Sequence, residues 1–323
     1  PHNDYISCLR AEFMSLNQSV LICDHVNPTL KEILEKNGLK VTYEPEITPE
    51  QIAEKIGNFQ VVVIRGRTKL SRELIEKADK CKIIARVGVG LDNIDEEAAK
   101  EKNIRVINAV EGATTAVAEL VIGLMLSMAR EIPRADREIR NGNWIKKELA
   151  GSELKGKYLG IIGLGNIGKR LGRLTRALNM NIIGYDVVPI DEEFSKEVGL
   201  MKADLDTLLS SADYVSLHVP LLDSTHHMIN AEKLKLMKNT ARIINTSRGG
   251  VIDEEALYNS LKEGNIAGAA LDVFEVEPAT GNKLTTLPNF VATPHMGAQT
   301  KEAQLLAANI IAEKIIQVLR GVL

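Results

Sequence analysis

Three glycines, Gly163, Gly165 and Gly168, stand in the spacing G-x-G-x-x-G within YLGIIGLGNIGKRLG, residues 158–172. Ahead of them, Leu159, Ile161 and Ile162 make the short apolar run of a strand buried on both faces. Behind them the pattern is helical. In a strand–turn–helix unit the first glycine permits the tight turn, the second lets a pyrophosphate approach the backbone, and the third lets the helix pack close to the strand. The helix N-terminus adds unfilled N–H groups and a partial positive charge for phosphate oxygens. A second strand, NIIGYD, ends in Asp186, eighteen residues beyond Gly168. A carboxylate there accepts hydrogen bonds from ribose hydroxyls and repels a 2′-phosphate, so the expected cofactor is NAD rather than NADP. The competing reading is a structural glycine turn. The placement of the strand, helix, second strand and terminal acid favours the dinucleotide.

Three further residues follow the ends of later apolar runs. Arg248 lies in NTSRGGVIDEEAL, Glu277 in ALDVFEVEP and His295 in ATPHMGA. Each has a bland alternative: Arg248 pairing with Asp253 or Glu254 at a helix start, Glu277 as a solvated loop acid, His295 satisfying a local hydrogen bond. Together they supply what hydride transfer between NAD and a carbonyl requires. A histidine titrating near neutrality can exchange the proton of the alcohol oxygen. A carboxylate can orient the imidazole and favour its charged form. A guanidinium can hold a substrate carboxylate through two parallel hydrogen bonds and polarise the carbonyl.

The elements that must position these residues alternate regularly. VLICD, VTYEP, VVVIRG, KIIARVGV and NIRVINA read as strands, with helices at PTLKEILEKNG, TPEQIAEKIG, after a capping Ser71, and at DEEAAKEKN. A helix over 114–131 separates this unit from the glycine turn. Beyond Asp186, MKADLDTLLSSAD reads as loop and helix, and YVSLHVP, ARIINTS, NIAGAALDV and NFVATPH as strands. Residues 301–323 read as one amphipathic helix returning to the first unit. Strands and helices alternating at this pitch mean parallel sheets with helices on both faces. Ligands of such sheets bind beyond the carboxyl ends of the strands, so the chemistry is expected between the two units.

The 323 residues suffice for two domains. A net charge of −3 gives no general pull toward nucleic acid or anionic membrane. Cys8, Cys23 and Cys81 match neither a disulfide framework nor metal-knuckle spacing, which makes a reducing cytoplasm the simplest setting. No basic-then-apolar signal pattern opens the chain, and residues 1–18 read as a polar lead-in without an assignable role. The longest apolar stretch, AVAELVIGLMLSMA, is too short for a membrane span and carries Glu119.

The segments VGVGLDNID, GLGNIG, LDTLLSSADYVSLHVPL, INTSRGGVIDEEAL, GAALDVFEVEP and TPHMGAQT, in that order over most of residues 60–300, resemble the D-isomer-specific 2-hydroxyacid dehydrogenase family. The resemblance implies an α/β chain of two doubly wound parallel-sheet domains. A Rossmann NAD-binding domain, residues 113–298, is inserted into a flavodoxin-like substrate domain formed by residues 1–112 and 299–323. It implies that Arg248, Glu277 and His295 are the family's triad, in agreement with the roles reasoned above. It further implies that Val89, Asn166, Ile167, Asp186, Val219, Thr246, Asp272 and Gly297 line the NAD site with the three glycines. The backbone N–H groups of Gly88, Val89 and Gly90 would meet the substrate carboxylate. A homodimer held by the NAD domains, with the 114–131 helix contributing, and no metal complete the expectation.

Within the family, RGRTKL, NGNW and GSELKGK resemble segments of members acting on a phosphorylated 2-hydroxy acid, which makes D-3-phosphoglycerate the first expected substrate. Arg65, Arg67 and Lys69 suit a phosphate; a solvated basic loop is the alternative. Some such members carry a C-terminal serine-sensing domain, and the end at Leu323 sets the expectation of a short form without one. Two other readings stand beside this: glyoxylate or hydroxypyruvate as the substrate, and an NAD(H)-sensing scaffold. His218, in a strand ending on the cofactor side, reads as structural or as a support behind the site's contacting residues. His226 and His227, expected to point to different sides, do not read as a metal site. Lys169, Arg170, Arg173 and Arg176 read as a solvated basic face, and Trp144 as a residue of undecided place.

Overall fold

In the computed structural model the described residues are 16–322, so most of the polar lead-in lies outside them. The chain divides into two compact units. One comprises the chain up to Ala113 and again from Ala298; the other is Thr114–Gly297.

In the first unit, β1 (Ser19–Ile22), β2 (Lys40–Tyr43), β3 (Val61–Ile64), β4 (Ile83–Arg86) and β5 (Arg105–Asn108) form a parallel sheet in the order β2-β1-β3-β4-β5. All four residues of VVVI in β3 are buried, which a parallel strand achieves only with helices on both faces. The two-residue alternation divides the core. Val20, Ile22, Val61, Val63 and Ile83 meet Leu30, Leu34 and one side of the helix Lys301–Leu319, through Ala308, Ile311, Ala312 and Ile315. On the other face Leu21, Val62, Ile64 and Ile84 meet Ile52, Leu74, Ile75 and Ala98. This is the flavodoxin-like strand order. The buried thiols of Cys23 and Cys81 are both pushed up to about 12 by burial, which makes them poor nucleophiles.

The second unit holds β6 (Tyr158–Ile162), β7 (Asn181–Tyr185), β8 (Met201–Lys202), β9 (Tyr214–Leu217), β10 (Arg242–Asn245), β11 (Gly268–Leu271) and β12 (Phe290–Ala292). They too are all parallel, in the order β12-β11-β10-β9-β6-β7-β8. The order reverses between β6 and β9, the switch point of a Rossmann sheet. The helix Thr114–Ala129 lays Ala118, Val121 and Met125 on Leu159, Ile161, Ile182 and Ile244. On the opposite face Val215, Leu217, Ile243 and Ala269 meet Leu208, Leu209, Leu257 and Leu261. Each fully buried aliphatic side chain contributes about 1.5–3 kcal/mol by leaving water. The strand ends, where the glycine turn and His295 sit, are thereby held on a rigid base.

The structure corrects several local expectations. Ser71 sits at a helix N-cap position, but its side chain accepts no capping bond, unlike Thr48, Asp95 and Thr300. Met201–Lys202 pairs with β7 as a short edge strand rather than a loop. The helices Ile132–Arg140, Glu192–Val198 and Ala231–Leu236 are additional to the sequence reading. The basic face of the glycine-turn helix is not simply solvated. Lys169 pairs with Asp191 at 3.0 Å and Arg173 with Glu197 at 2.8 Å, and the Arg173 guanidinium lies 5.3 Å from the Phe194 ring centre. Its acidic partners come from the helix Glu192–Val198 and its N-cap, which the sequence reading lacked. His226 and His227 do not diverge: their rings stack 3.9 Å apart, because His227 adopts a left-handed φ of 50°. Trp144 is 81% exposed. Among the described residues no helix is long and apolar enough to cross a membrane.

Candidate active site

Each glycine of the turn is explained by what surrounds it. Gly163 has φ +91° and lies against the His218 carbonyl, where any side chain would overlap backbone. Gly168 lies against the Gly163 carbonyl oxygen and Ile161. Gly165 has open space where a side chain would be, and it caps the helix Asn166–Ala177 without any side-chain bond to the first turn. The N–H groups of that turn, from exposed Asn166, half-buried Ile167 and buried Gly168, thus point to a bare helix N-terminus. Asp186 follows β7. Its Oδ2 accepts from the Leu164 N–H at 2.6 Å and its Oδ1 from the Val188 N–H at 3.1 Å, so the acid is tied to the glycine turn itself. Val219 follows β9, and Thr246, at the end of β10, buries a hydroxyl with no partner among the described residues. An uncapped helix start, an open glycine, an acid at the second strand end and an orphan hydroxyl fit NAD.

His218 lies beside this turn, its carbonyl against Gly163. Its Nε2 lies 2.9 Å from the Ser216 hydroxyl, and its enclosed Nδ1 has no partner among the described residues. Burial pushes its pKa down from 6.5 to about 4. Between those values the unfolded chain binds a proton that the folded chain refuses, so stability falls as pH drops below 6.5, by about 3 kcal/mol in all. His218→Gln keeps an amide near the Nε2 position and removes the titration. Urea unfolding at pH 7 and pH 4.5 is expected to show wild type losing about 2 kcal/mol more than this variant. Equal losses would place the acid sensitivity elsewhere.

The loop carrying His295 is moulded by Asp272, which is almost wholly buried at the end of β11. Asp272 Oδ1 accepts from the Thr293 hydroxyl at 2.6 Å and the Met296 N–H at 2.8 Å; Oδ2 accepts from the Gly297 N–H at 2.9 Å. The Asp272 carbonyl accepts the His295 N–H at 2.8 Å. So fixed, His295 takes a left-handed φ of 51° and brings Nδ1 to 2.7 Å from Glu277 Oε2. Glu277 is held in turn by the Phe274 N–H, 3.1 Å from Oε1. With Nδ1 engaged, Nε2 is the nitrogen left to face a reactant. A pocket of about 400 Å³, lined by Phe274, Pro278, Thr280, Thr285 and Pro294, opens beside the pair. Arg248 follows β10 in a turn fixed by Asn245, whose Nδ2 donates to the Arg248 carbonyl at 2.8 Å. Arg248 Nη1 donates to the Ser247 carbonyl at 2.7 Å. Its neighbour Gly249 lies directly against the Phe274 carbonyl and the Glu275 amide, so the Arg248 turn and the Glu277 loop touch backbone to backbone. Asp253, one bland partner considered for Arg248, instead caps the next helix.

In the first unit Arg65 and Arg67 have different fates. Arg67 donates to the carbonyls of Cys23, Pro45 and Ile47 and lies 3.3 Å from Asp24, so its guanidinium holds the loop together. Arg65 donates to the Gln299 side chain at 3.0 Å and lines a recess with Asn27, Gly88 and Gln304. Of the expected trio of backbone donors, one is engaged within the chain. The Gly88 N–H bonds the Arg86 carbonyl at 2.9 Å. The Val89 carbonyl accepts from Asn108 Nδ2 at 2.6 Å.

The sequence reading missed Asp24. Its buried carboxylate accepts from the N–H groups of Arg65 and Thr68 and from the Thr68 hydroxyl, and so shapes the loop that presents Arg65. The available signal was an acid placed directly after the apolar run VLIC. For Asp272 the missed role is positional: it fixes the His295 loop.

Known proteins resemble this chain in sequence and fold. Residues 122–297 match the NAD binding domain of D-isomer specific 2-hydroxyacid dehydrogenase. A D-3-phosphoglycerate dehydrogenase of Methanocaldococcus jannaschii is 48% identical over 94% of this chain and 57% of its own length. A hydroxypyruvate reductase of Thermotoga maritima is 45% identical over 91% of this chain and 97% of its own. The crystal structure of a glyoxylate reductase from Paecilomyes thermophila superposes with a TM-score of 0.86 at 30% identity, covering 94% of this chain and 95% of that one. The chain spans just over half the length of the D-3-phosphoglycerate dehydrogenases it matches. On fold, strand order, glycine turn and sequence, the chain belongs to the D-isomer specific 2-hydroxyacid dehydrogenase family.

Proposed function

We propose that this chain oxidises D-3-phosphoglycerate to 3-phosphohydroxypyruvate, the opening step of serine biosynthesis, with NAD as hydride acceptor. The observation that carries the reading is the 2.7 Å bond between His295 Nδ1 and Glu277 Oε2 in a loop fixed by buried Asp272. NAD, when bound, supplies the nicotinamide that takes the hydride. His295 Nε2 takes the proton of the substrate hydroxyl, and Glu277 balances the charge that then forms on the imidazole. Arg248 holds the substrate carboxylate and orients the carbon that loses hydride. Asn166, Ile167 and Gly168 receive the diphosphate, Asp186 the ribose, and Thr246 supplies the hydroxyl left without a partner among the described residues. The unit up to Ala113 and from Ala298 binds the substrate, with Val89, Gly90 and Arg65 as its contacts. The active form is a homodimer.

The phosphorylated substrate is supported by the Methanocaldococcus relative and by Arg65 in its recess. A second reading, reduction of hydroxypyruvate or glyoxylate, is favoured by the engagement of Arg67 with backbone carbonyls and by the Thermotoga relative. NADH oxidation with 3-phosphohydroxypyruvate, hydroxypyruvate, glyoxylate and pyruvate at matched concentrations separates them. Arg65→Ala is expected to raise KM for the phosphorylated acid about thirtyfold and leave KM for hydroxypyruvate nearly unchanged. A wild-type preference for an unphosphorylated acid, or an indifferent Arg65→Ala variant, would reject the phosphate assignment.

A further inference from the structure

His227 plays no part in the reaction proposed above, yet it stands where two loops of that site meet. The segment after β9 turns on Thr225, whose hydroxyl donates to the Pro220 carbonyl at 2.6 Å and accepts from the Leu222 N–H at 2.8 Å. His227 then takes its left-handed backbone, and its N–H donates to the Gly250 carbonyl at 2.7 Å. Two residues on, Ile229 and Ile252 form a parallel bridge, with the Ile229 N–H on the Val251 carbonyl and the Asp253 N–H on the Ile229 carbonyl. Residues 227–229 are therefore stitched to the backbone that leaves Arg248.

The side chain reaches the other way. His227 Nε2 lies 2.9 Å from Glu275 Oε1, two residues before Glu277, while Nδ1 is 4.0 Å from Asp253. Glu275 and Glu254 hold each other: each backbone N–H donates to the other's carboxylate, at 2.7 and 3.2 Å. Glu254 also accepts from Asn282 Nδ2 at 2.7 Å. His226 stacks on the His227 ring, 19° from parallel, and fixes its plane. Because Gly249 touches the Phe274 carbonyl, a slip of either loop is transmitted to the other.

We propose that His227 is a positioning residue that registers the Arg248 turn against the Glu277 loop. Its backbone holds the first and its imidazole holds the second. The proposal rests on the roles given above to Arg248, Glu277 and His295. It assigns His227 no contact with substrate or cofactor. Loss of the imidazole lets Glu275 and, with it, Glu277 move relative to Arg248, which misaligns the proton acceptor and the carboxylate anchor while the glycine turn stays intact.

The test compares the full chain carrying His227→Ala with that carrying His227→Gln; both replacements bear the cost of the left-handed backbone at this position, so the difference between them reads the side chain, and glutamine offers an amide N–H in place of Nε2. His227→Ala is expected to lower kcat about tenfold and raise KM for the 2-oxo acid several-fold, with NADH affinity within about twofold of wild type. His227→Gln is expected to recover most of the loss. Hydrogen exchange at the amides of Phe274 and Glu275 is expected to quicken about tenfold in the alanine variant and to return toward wild type in the glutamine variant. Unchanged kinetics with unchanged exchange would overturn the proposal. So would a glutamine variant as impaired as alanine, or a loss of NADH affinity that parallels the loss of kcat. If wild type turns over no acid of the panel, the catalytic reading fails, and exchange at Phe274 and Glu275 alone decides whether His227 holds the two loops together.

Discussion

His295→Asn is expected to lower kcat about a thousandfold while NADH affinity stays within about threefold of wild type. Asparagine is the informative replacement because of the backbone. His295 has φ +51°, a left-handed conformation that costs an ordinary L-residue about 1–2 kcal/mol and that asparagine tolerates. Alanine would mix a backbone penalty into the result. The main-chain bonds of residue 295 to the Asp272 and Thr293 carbonyls, at 2.8 and 3.1 Å, need no side chain and persist. Asparagine thus removes the titratable nitrogens and little else, and the cofactor cradle around Gly163 and Asp186 is untouched. Stopped-flow hydride transfer and NADH fluorescence titration measure the two quantities separately. Wild-type rates at neutral pH would show that His295 is not the proton acceptor. A parallel loss of NADH binding would show that the substitution had disturbed the Asp272-centred loop instead.

The part of this site legible in the sequence was the part set by local pattern. Strand ends in a parallel sheet declare themselves as apolar runs that stop at odd residues, and Arg248, Glu277 and His295 stand out as candidates that way. The glycines were legible because turn, close approach and packing each demand a missing side chain, as Gly163 and Gly168 demonstrate. What stayed hidden depends on partners distant in sequence. Nothing local distinguishes Arg65 from Arg67, yet the carbonyls of Cys23, Pro45 and Ile47 claim only the second. The stacking of His226 on His227 follows from a left-handed residue stitched to Gly250, a contact no periodicity announces. The helix Glu192–Val198 has no counterpart in the sequence reading, and with it went the acids that pair the basic face of the glycine-turn helix. Ser71 looked like a cap by type and position, but capping also needs the side chain to turn back onto the helix.

The glycine turn itself separates into a residue that serves the fold and a residue that serves the ligand, and two alanine substitutions are expected to expose the difference. At Gly168 a methyl group would overlap the Gly163 carbonyl oxygen and crowd the Ile161 side chain at 3.2 Å. The first obstacle is backbone and has no rotamer to move to, so helix and strand must separate. Gly168→Ala is expected to cost about 3 kcal/mol of stability, at the upper end of overpacking penalties, and to displace the helix start that receives the diphosphate. At Gly165 a methyl group meets nothing within 4 Å, and the backbone there, φ −73° and ψ −159°, is open to any residue. Gly165→Ala should therefore unfold with wild type within about 0.5 kcal/mol, since exposed substitutions free of strain rarely do more. Its effect falls on the cofactor. The methyl occupies the space through which a diphosphate reaches the N–H groups of Asn166 and Ile167, and NADH affinity is expected to drop about a hundredfold, or about 2.7 kcal/mol. Thermal unfolding without cofactor and NADH titration give the two axes. If Gly165→Ala binds NADH as wild type does, the diphosphate does not lie over this turn, and Asn166, Ile167 and Asp186 lose their assignment together. If Gly168→Ala is as stable as wild type, the close packing of Gly168 on Gly163 is not what requires a glycine there.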